Sequence, residues 1–156
     1  LNRNKNKKNI ICAEIRVAQA NHPFRSLKHL HIKKIYLIDN YSNKNKHYKI
    51  AKKKLQKYKN KIVWINLNFK SPKCLKLIND KLDFAYYDAG KSKNDITFYF
   101  DIIKNKIKKN GFFCGHDFNN GYQKKHNNIV NEVVKFAIRN KLQFYTQGAD
   151  WWIKKK

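Results

Sequence analysis

Apolar residues recur along the chain in two alternating rhythms. Short, largely apolar runs at Ile10–Ile15, Ile35–Ile38, Ile62–Ile65, Leu82–Tyr87 and Gly111–Gly115 have strand length and predict buried β-strands. Between them lie longer, lysine-studded stretches with helical period. A helix is predicted through Phe24–Leu30, and another over Tyr48–Tyr58, where Ile50, Leu55 and Tyr58 share a face. Cys74–Ile78 is a short third. Ile96–Ile107 places Ile96, Phe100, Ile103 and Ile107 at helical spacing, and Asn128–Ile138 does the same for Ile129, Val133, Phe136 and Ala137. Two strand-like pieces, Leu142–Thr146 and Trp151–Ile153, close the chain across a Gly-containing turn.

Five strand–helix alternations imply an α/β fold, with a parallel sheet covered by helices and right-handed crossovers. Ligands of such sheets bind beyond the carboxyl ends of the strands, so the residues following each strand are the ones to read for chemistry. Neither an internal repeat nor a long linker interrupts the pattern, which predicts one domain over residues 10–156. Residues 1–9 form a polar leader, whose low-complexity part is Leu1–Lys8. With no methionine anywhere, position 1 included, the leader reads as the remnant of a truncated amino terminus.

Composition changes this picture little. Of 156 residues, 42% are hydrophobic and 14% aromatic, enough for a packed core. No stretch approaches the roughly 18–20 apolar residues of a membrane span, and no signal-peptide pattern opens the chain, so a cytoplasmic location is expected. Cys12, Cys74 and Cys114 are far apart and form no CxxC pair, which argues against a zinc site or a disulfide framework. Cys12 and Cys114 are expected to pack as small hydrophobes.

The net charge of +26 invites a nucleic-acid partner held by bulk positive charge. Lysine outnumbers arginine 32 to 4, however, and asparagine reaches 21. Base and phosphate readers favour arginine for its bidentate fork, whereas Lys, Asn, Ile and Tyr are what AT-rich coding produces. The lysines are spread along the whole chain, and charge is a weak guide to function.

The strand ends carry Glu14-Ile-Arg-Val-Ala-Gln-Ala20, Asp39, the Asn66–Ser71 stretch, Asp88-Ala-Gly-Lys91 and Gly115-His-Asp-Phe118. Asp39, after the second strand, is placed to accept from both hydroxyls of a ribose, and equally to cap the turn at Asn40-Tyr-Ser42. Here the series resembles the class I S-adenosylmethionine (SAM)-dependent methyltransferases. Ala13-Glu-Ile-Arg-Val-Ala-Gln-Ala-Asn-His22 is similar to their first motif, and Tyr36-Leu-Ile-Asp-Asn-Tyr41 to their second strand. Phe84–Gly90, Gly111–Phe118 and Gly148–Ile153 are similar to the fourth, fifth and closing strands. The likeness covers about residues 10–155. It implies a Rossmann-like three-layer sandwich with a mostly parallel seven-stranded sheet and an antiparallel last strand.

The resemblance also implies a site. Glu14, Arg16, Ala20, Asp39, Ser71 and Asp88 would line the cofactor. The family's two loop glycines fall at Arg16 and Ala20 here, and a guanidinium at Arg16 would start where the methionine part of SAM should lie. In the metal-dependent O-methyltransferases, such as the catechol and macrocin enzymes, an acid after strand four and a pair after strand five hold magnesium. Asp88, His116 and Asp117 fall on those places, with His116 pointing toward a softer ion such as manganese; helix capping by Asp88 and Asp117 is the alternative. Lys91 matches the spacing of a catalytic lysine and would, with Asp88, receive the acceptor proton. Asn21 and His22 are expected to cap the helix before Pro23, and Asn119–Tyr122 has turn chemistry suited to a lid.

The expected activity is SAM-dependent O-methylation of a small hydroxylated or glycan acceptor. Two other readings compete: a degenerate, non-catalytic binding module of the same fold, and a basic domain associated with nucleic acid.

Overall fold

The computed structural model describes residues 8–41, 45–118 and 127–156. The expected Asn119–Tyr122 lid and most of the polar leader lie outside them. Two compact units partition the chain, residues 1–80 and 81–156.

In the first unit, β1 (Ile10–Ile15), β2 (Ile32–Ile38) and β3 (Ile62–Ile65) run parallel, with β2 between the other two. Helices α1 (Asn21–His29), α2 (Lys46–Lys54) and α3 (Pro72–Lys76) follow these strands in turn, and a 3₁₀ helix at Gln56–Lys61 leads into β3. The expected Tyr48–Tyr58 helix thus starts earlier and gives way to 3₁₀ geometry after Leu55. Strand β2 begins at Ile32, earlier than expected, because Lys33 and Lys34 disguise its first turns of pleat. Lys34 and Tyr36 both donate to the Asp80 carboxylate, at 2.7 and 2.5 Å, so the polar positions are satisfied within the unit.

The second unit contains β4 (Leu82–Tyr87), α4 (Lys93–Ile103), β5 (Ile107–Gly115), α5 (Asn127–Arg139), β6 (Phe144–Gln147) and β7 (Asp150–Lys154). Strands β4 and β5 are parallel, and β7 runs antiparallel to both β5 and β6. The strand order is β3-β2-β1-β4-β5-β7-β6 in a seven-stranded sheet, and within the second unit only β7 opposes its neighbours. The expected sheet and its antiparallel last strand are both present.

Ile107 corrects one expectation. Helix α4 stops at Ile103, and Ile107 opens β5 opposite Leu82. The register then jumps so that Phe84 faces Phe112, leaving Lys108–Gly111 as a bulged stretch. Lys108 spans the bulge to Asp83, its Nζ lying 3.0 and 3.1 Å from the two carboxylate oxygens. Asp83 is only 1% exposed. Aromatic rings fill the core of this unit: Phe100 stacks on Phe136 with centroids 3.9 Å apart, and Phe113 and Trp151 pack against Phe100 from other sides. Helix α5 buries Ile129, Val133, Phe136 and Ala137, the face its spacing predicts.

Candidate functional site

The loop between β1 and α1 has an unusual backbone. Arg16, Ala18 and Ala20 take φ values of 67°, 47° and 59°, all in the left-handed region that glycine enters at little cost. Two of the three are the places where the resemblance puts glycine. The chain therefore keeps the turn of a glycine loop while carrying side chains through it. Arg16 and Ala18 are exposed; Ala20 is buried and begins α1 with no side-chain cap.

Neighbouring side chains hold this shape. The Arg16 N–H donates to the Ile38 carbonyl at 2.8 Å, and the Ala18 N–H to Asp39 Oδ2 at 2.9 Å. From the other direction, the Tyr41 hydroxyl donates to the Ala18 carbonyl. Burial, with the Asp39 and Glu14 charges nearby, drives the Tyr41 pKa well above the usual phenol value, so its O–H stays a donor. The Tyr41 ring stacks on Tyr48 at 4.9 Å, and Trp64 packs on both. Asp39, predicted to meet a ribose or cap its own turn, thus orders the loop through Ala18.

Glu14 is 3% exposed and lies 2.7 Å from His22 Nδ1. Its carboxylate therefore ties the end of β1 to α1. The expected capping of α1 by Asn21 and His22 is not what the structure shows: both sit inside the first turn, His22 toward Glu14 and Asn21 accepting from Lys54 Nζ. Ser71 is the N-cap residue of α3, half-buried, with its N–H donated to the Asn68 carbonyl at 2.8 Å.

The second unit gathers its own polar group beyond β4, β5 and β7. Lys91 Nζ lies 2.6 Å from Asp117 Oδ2, and Asp117 is buried with φ 64°. His116 Nδ1 lies 2.7 Å from Asp150 Oδ1, which also accepts from the Tyr86 hydroxyl at 2.9 Å. The Trp151 indole N–H donates to the His116 carbonyl at 3.1 Å, fixing the strand end from below. Asp88 follows β4 and is half-buried. It does not cap α4, whose N-cap is Ser92, the hydroxyl accepting from the Asp95 N–H at 3.1 Å.

The set Asp88, His116 and Asp117 does not fit a metal. Asp117 Oδ2 faces the Lys91 ammonium, and His116 Nδ1 faces an Asp150 carboxylate oxygen. Among the described residues, no group of three His, Cys, Asp or Glu side chains is placed to hold an ion. Sequence reasoning missed Asp150, which orients His116, and Tyr86, which donates to Asp150. Asp150 is 34 residues away and opens the strand that pairs with β5, so only the β5–β7 register brings it there.

Gly115 ends β5 against Trp151. A Cβ at this position would come within 2.5 Å of the indole and 2.7 Å of the Tyr87 carbonyl. Gly115→Ala should therefore displace Trp151, free the His116 carbonyl and destabilise the fold by about 1–3 kcal/mol, the usual cost of overpacking. Chemical denaturation against the parent would check this, with tryptophan fluorescence reporting the altered indole environment.

No family profile matches the amino-acid sequence, and no match to a curated protein reaches significance. Solved structures do match its fold. A provisionally assigned methyltransferase from Streptococcus mutans, in complex with S-adenosylhomocysteine (SAH), superposes with a TM-score of 0.72 at 16% identity, over 96% of this chain and 90% of that one. A provisionally assigned rRNA methylase from Clostridium thermocellum gives 0.72 at 10% identity, with 96% and 90% covered. The O-methyltransferase from Bacillus cereus, also with SAH, gives 0.67 at 14%, with 93% and 74% covered. Identities this low speak to architecture: the chain has the class I SAM-dependent methyltransferase fold.

Proposed function

We propose that the chain is a SAM-dependent methyltransferase whose β1–α1 loop receives the cofactor. The observation that carries this reading is the left-handed backbone at Arg16, Ala18 and Ala20. Three non-glycine residues in that region are costly, and such strain persists where surrounding structure imposes it for a purpose. A loop of this shape fits the close approach of a nucleotide-like ligand to backbone.

SAM would supply an activated methyl group on its sulfonium. The chain's own residues would do the rest. Asp39 orders the loop through Ala18, and its carboxylate would accept from ribose hydroxyls. Arg16, exposed at the loop's start, can extend its guanidinium toward a carboxylate. Glu14, clamped by His22, acts as a positioning residue for β1 and α1 rather than as a cofactor ligand. In the second unit, Lys91 with Asp117, Asp88, and His116 oriented by Asp150 are the groups suited to orienting an acceptor hydroxyl and taking its proton. A small hydroxylated molecule or glycan is the acceptor class we favour.

Calorimetric titration with SAM tests the reading. The parent should bind in the micromolar range, and Asp39→Ala should weaken binding by roughly tenfold or more, since it frees the Ala18 N–H and removes an acceptor. Binding by an Arg16→Gly variant alone would make the natural chain a disabled relative. Absence of binding by the parent and by Arg16→Gly would sink the proposal.

A further inference from the structure

Charge is unevenly divided between the two units. Residues 1–80 carry 21 Lys and Arg against 3 Asp and Glu, whereas residues 81–156 carry 15 against 7. Within the first unit, the 40 residues from Asn40 to Asn79 contain 12 lysines and no acid. Eight of those lysines lie in Lys46–Lys61, the span of α2 and the following 3₁₀ helix. The unit's three carboxylates are occupied elsewhere: Glu14 with His22, Asp39 with the Ala18 N–H, and Asp80 with Lys34 and Tyr36. Among the described residues, no carboxylate is ion-paired with any lysine of Lys46–Lys61.

The lysines have an ordered presentation. Lys46, Lys49 and Lys53 are exposed and follow one another at helical spacing, roughly one turn apart or about 5 Å of rise. Beside them, Lys52 Nζ lies 5.4 Å from the Tyr48 ring and 5.1 Å from the Trp64 ring. Lys57 is held likewise over Phe24 and Tyr58, at 5.5 and 4.9 Å. Rings that pin the side chains reduce the entropy lost when they meet an anion.

We propose that this lysine ridge is a docking surface for a nucleic-acid strand, gripped through its phosphates without selection among bases. Lysine is a point charge suited to a phosphate but lacks the fork that reads a guanine edge. The alternative polyanion, an anionic membrane surface, normally draws on exposed apolar anchors beside the charge. Here the ridge offers none: the exposed large hydrophobics among the described residues are Leu77, Ile138 and Phe144. The inference does not depend on the cofactor reading, since it concerns other side chains and can be tested without SAM.

The experiment is fluorescence anisotropy with a labelled oligouridylate of about 20 nucleotides, titrated over a range of salt. Lys46→Gln/Lys49→Gln/Lys53→Gln should weaken binding by roughly tenfold or more and flatten the log–log salt slope by about 2, as three lost phosphate contacts require. The corresponding Lys→Arg triple should restore binding. A charge-matched triple in the second unit, Lys109→Gln/Lys154→Gln/Lys156→Gln, should cost no more than about threefold. Equal losses for the two Gln triples would overturn the proposal, leaving only bulk charge. A parent that ignores the oligonucleotide but binds vesicles of equimolar phosphatidylserine and phosphatidylcholine would overturn it in favour of a membrane.

Discussion

Changing Arg16, Ala18 and Ala20 together to glycine should raise the melting temperature. Glycine usually destabilises a structured position by about 0.5–1 kcal/mol through the entropy of the unfolded chain. A non-glycine residue with left-handed backbone costs more, about 1–2 kcal/mol. The second effect wins at each of these positions, whose φ values all lie between 47° and 67°. Net stabilisation should be roughly 2 kcal/mol for the triple variant, or about 4–8 °C in a chain of this length. Ala51→Gly supplies the opposite case, because Ala51 is buried inside α2 and its removal should cost about 1 kcal/mol or more. Scanning calorimetry on the two variants would decide the matter. A triple variant that melts lower than the parent would mean the loop backbone stores no such cost.

A second large effect is expected at the bulge of β5. Lys108→Met should destabilise the second unit by roughly 2–3 kcal/mol, toward the low end for breaking a buried ion pair because Lys108 is itself partly open to water. The cost arises at Asp83, a carboxylate left inside the sheet without the ammonium that faces both its oxygens. Replacing both partners with apolar residues of similar size removes the buried charge as well. Asp83→Leu/Lys108→Met should therefore lie closer to the parent than Lys108→Met does. Denaturant midpoints for Lys108→Met, Asp83→Leu and the double variant would show it, and strict additivity of the two substitutions would contradict the pairing.

These positions also show where sequence reasoning reaches and where it stops. β1, β3 and β4 were legible to the residue, because each is a compact apolar run bounded by polar positions. The start of β5 was not, since Ile107 continues the four–three–four spacing of Ile96, Phe100 and Ile103, and Lys108–Asn110 look like solvent. Only Asp83, on the neighbouring strand, explains why a lysine belongs there. For the site, the resemblance pointed to a loop at Arg16 and Ala20, whose φ values are 67° and 59°. It could not reveal that Ala18 joins them, that Asp39 holds the loop, or that His116 turns to Asp150. Those facts depend on strand register, which brings together residues 21 and 34 positions apart.

The outermost strands, β3 and β6, are only four residues each, and the approaches to β3 are dense in lysine. Such brief edges present few unpaired backbone donors and acceptors to another molecule, and a charged flank repels a second copy. The same lysines that make the chain so basic thereby act as gatekeepers against intermolecular β-pairing, so the protein should resist aggregation at concentrations where a long, neutral edge would template it.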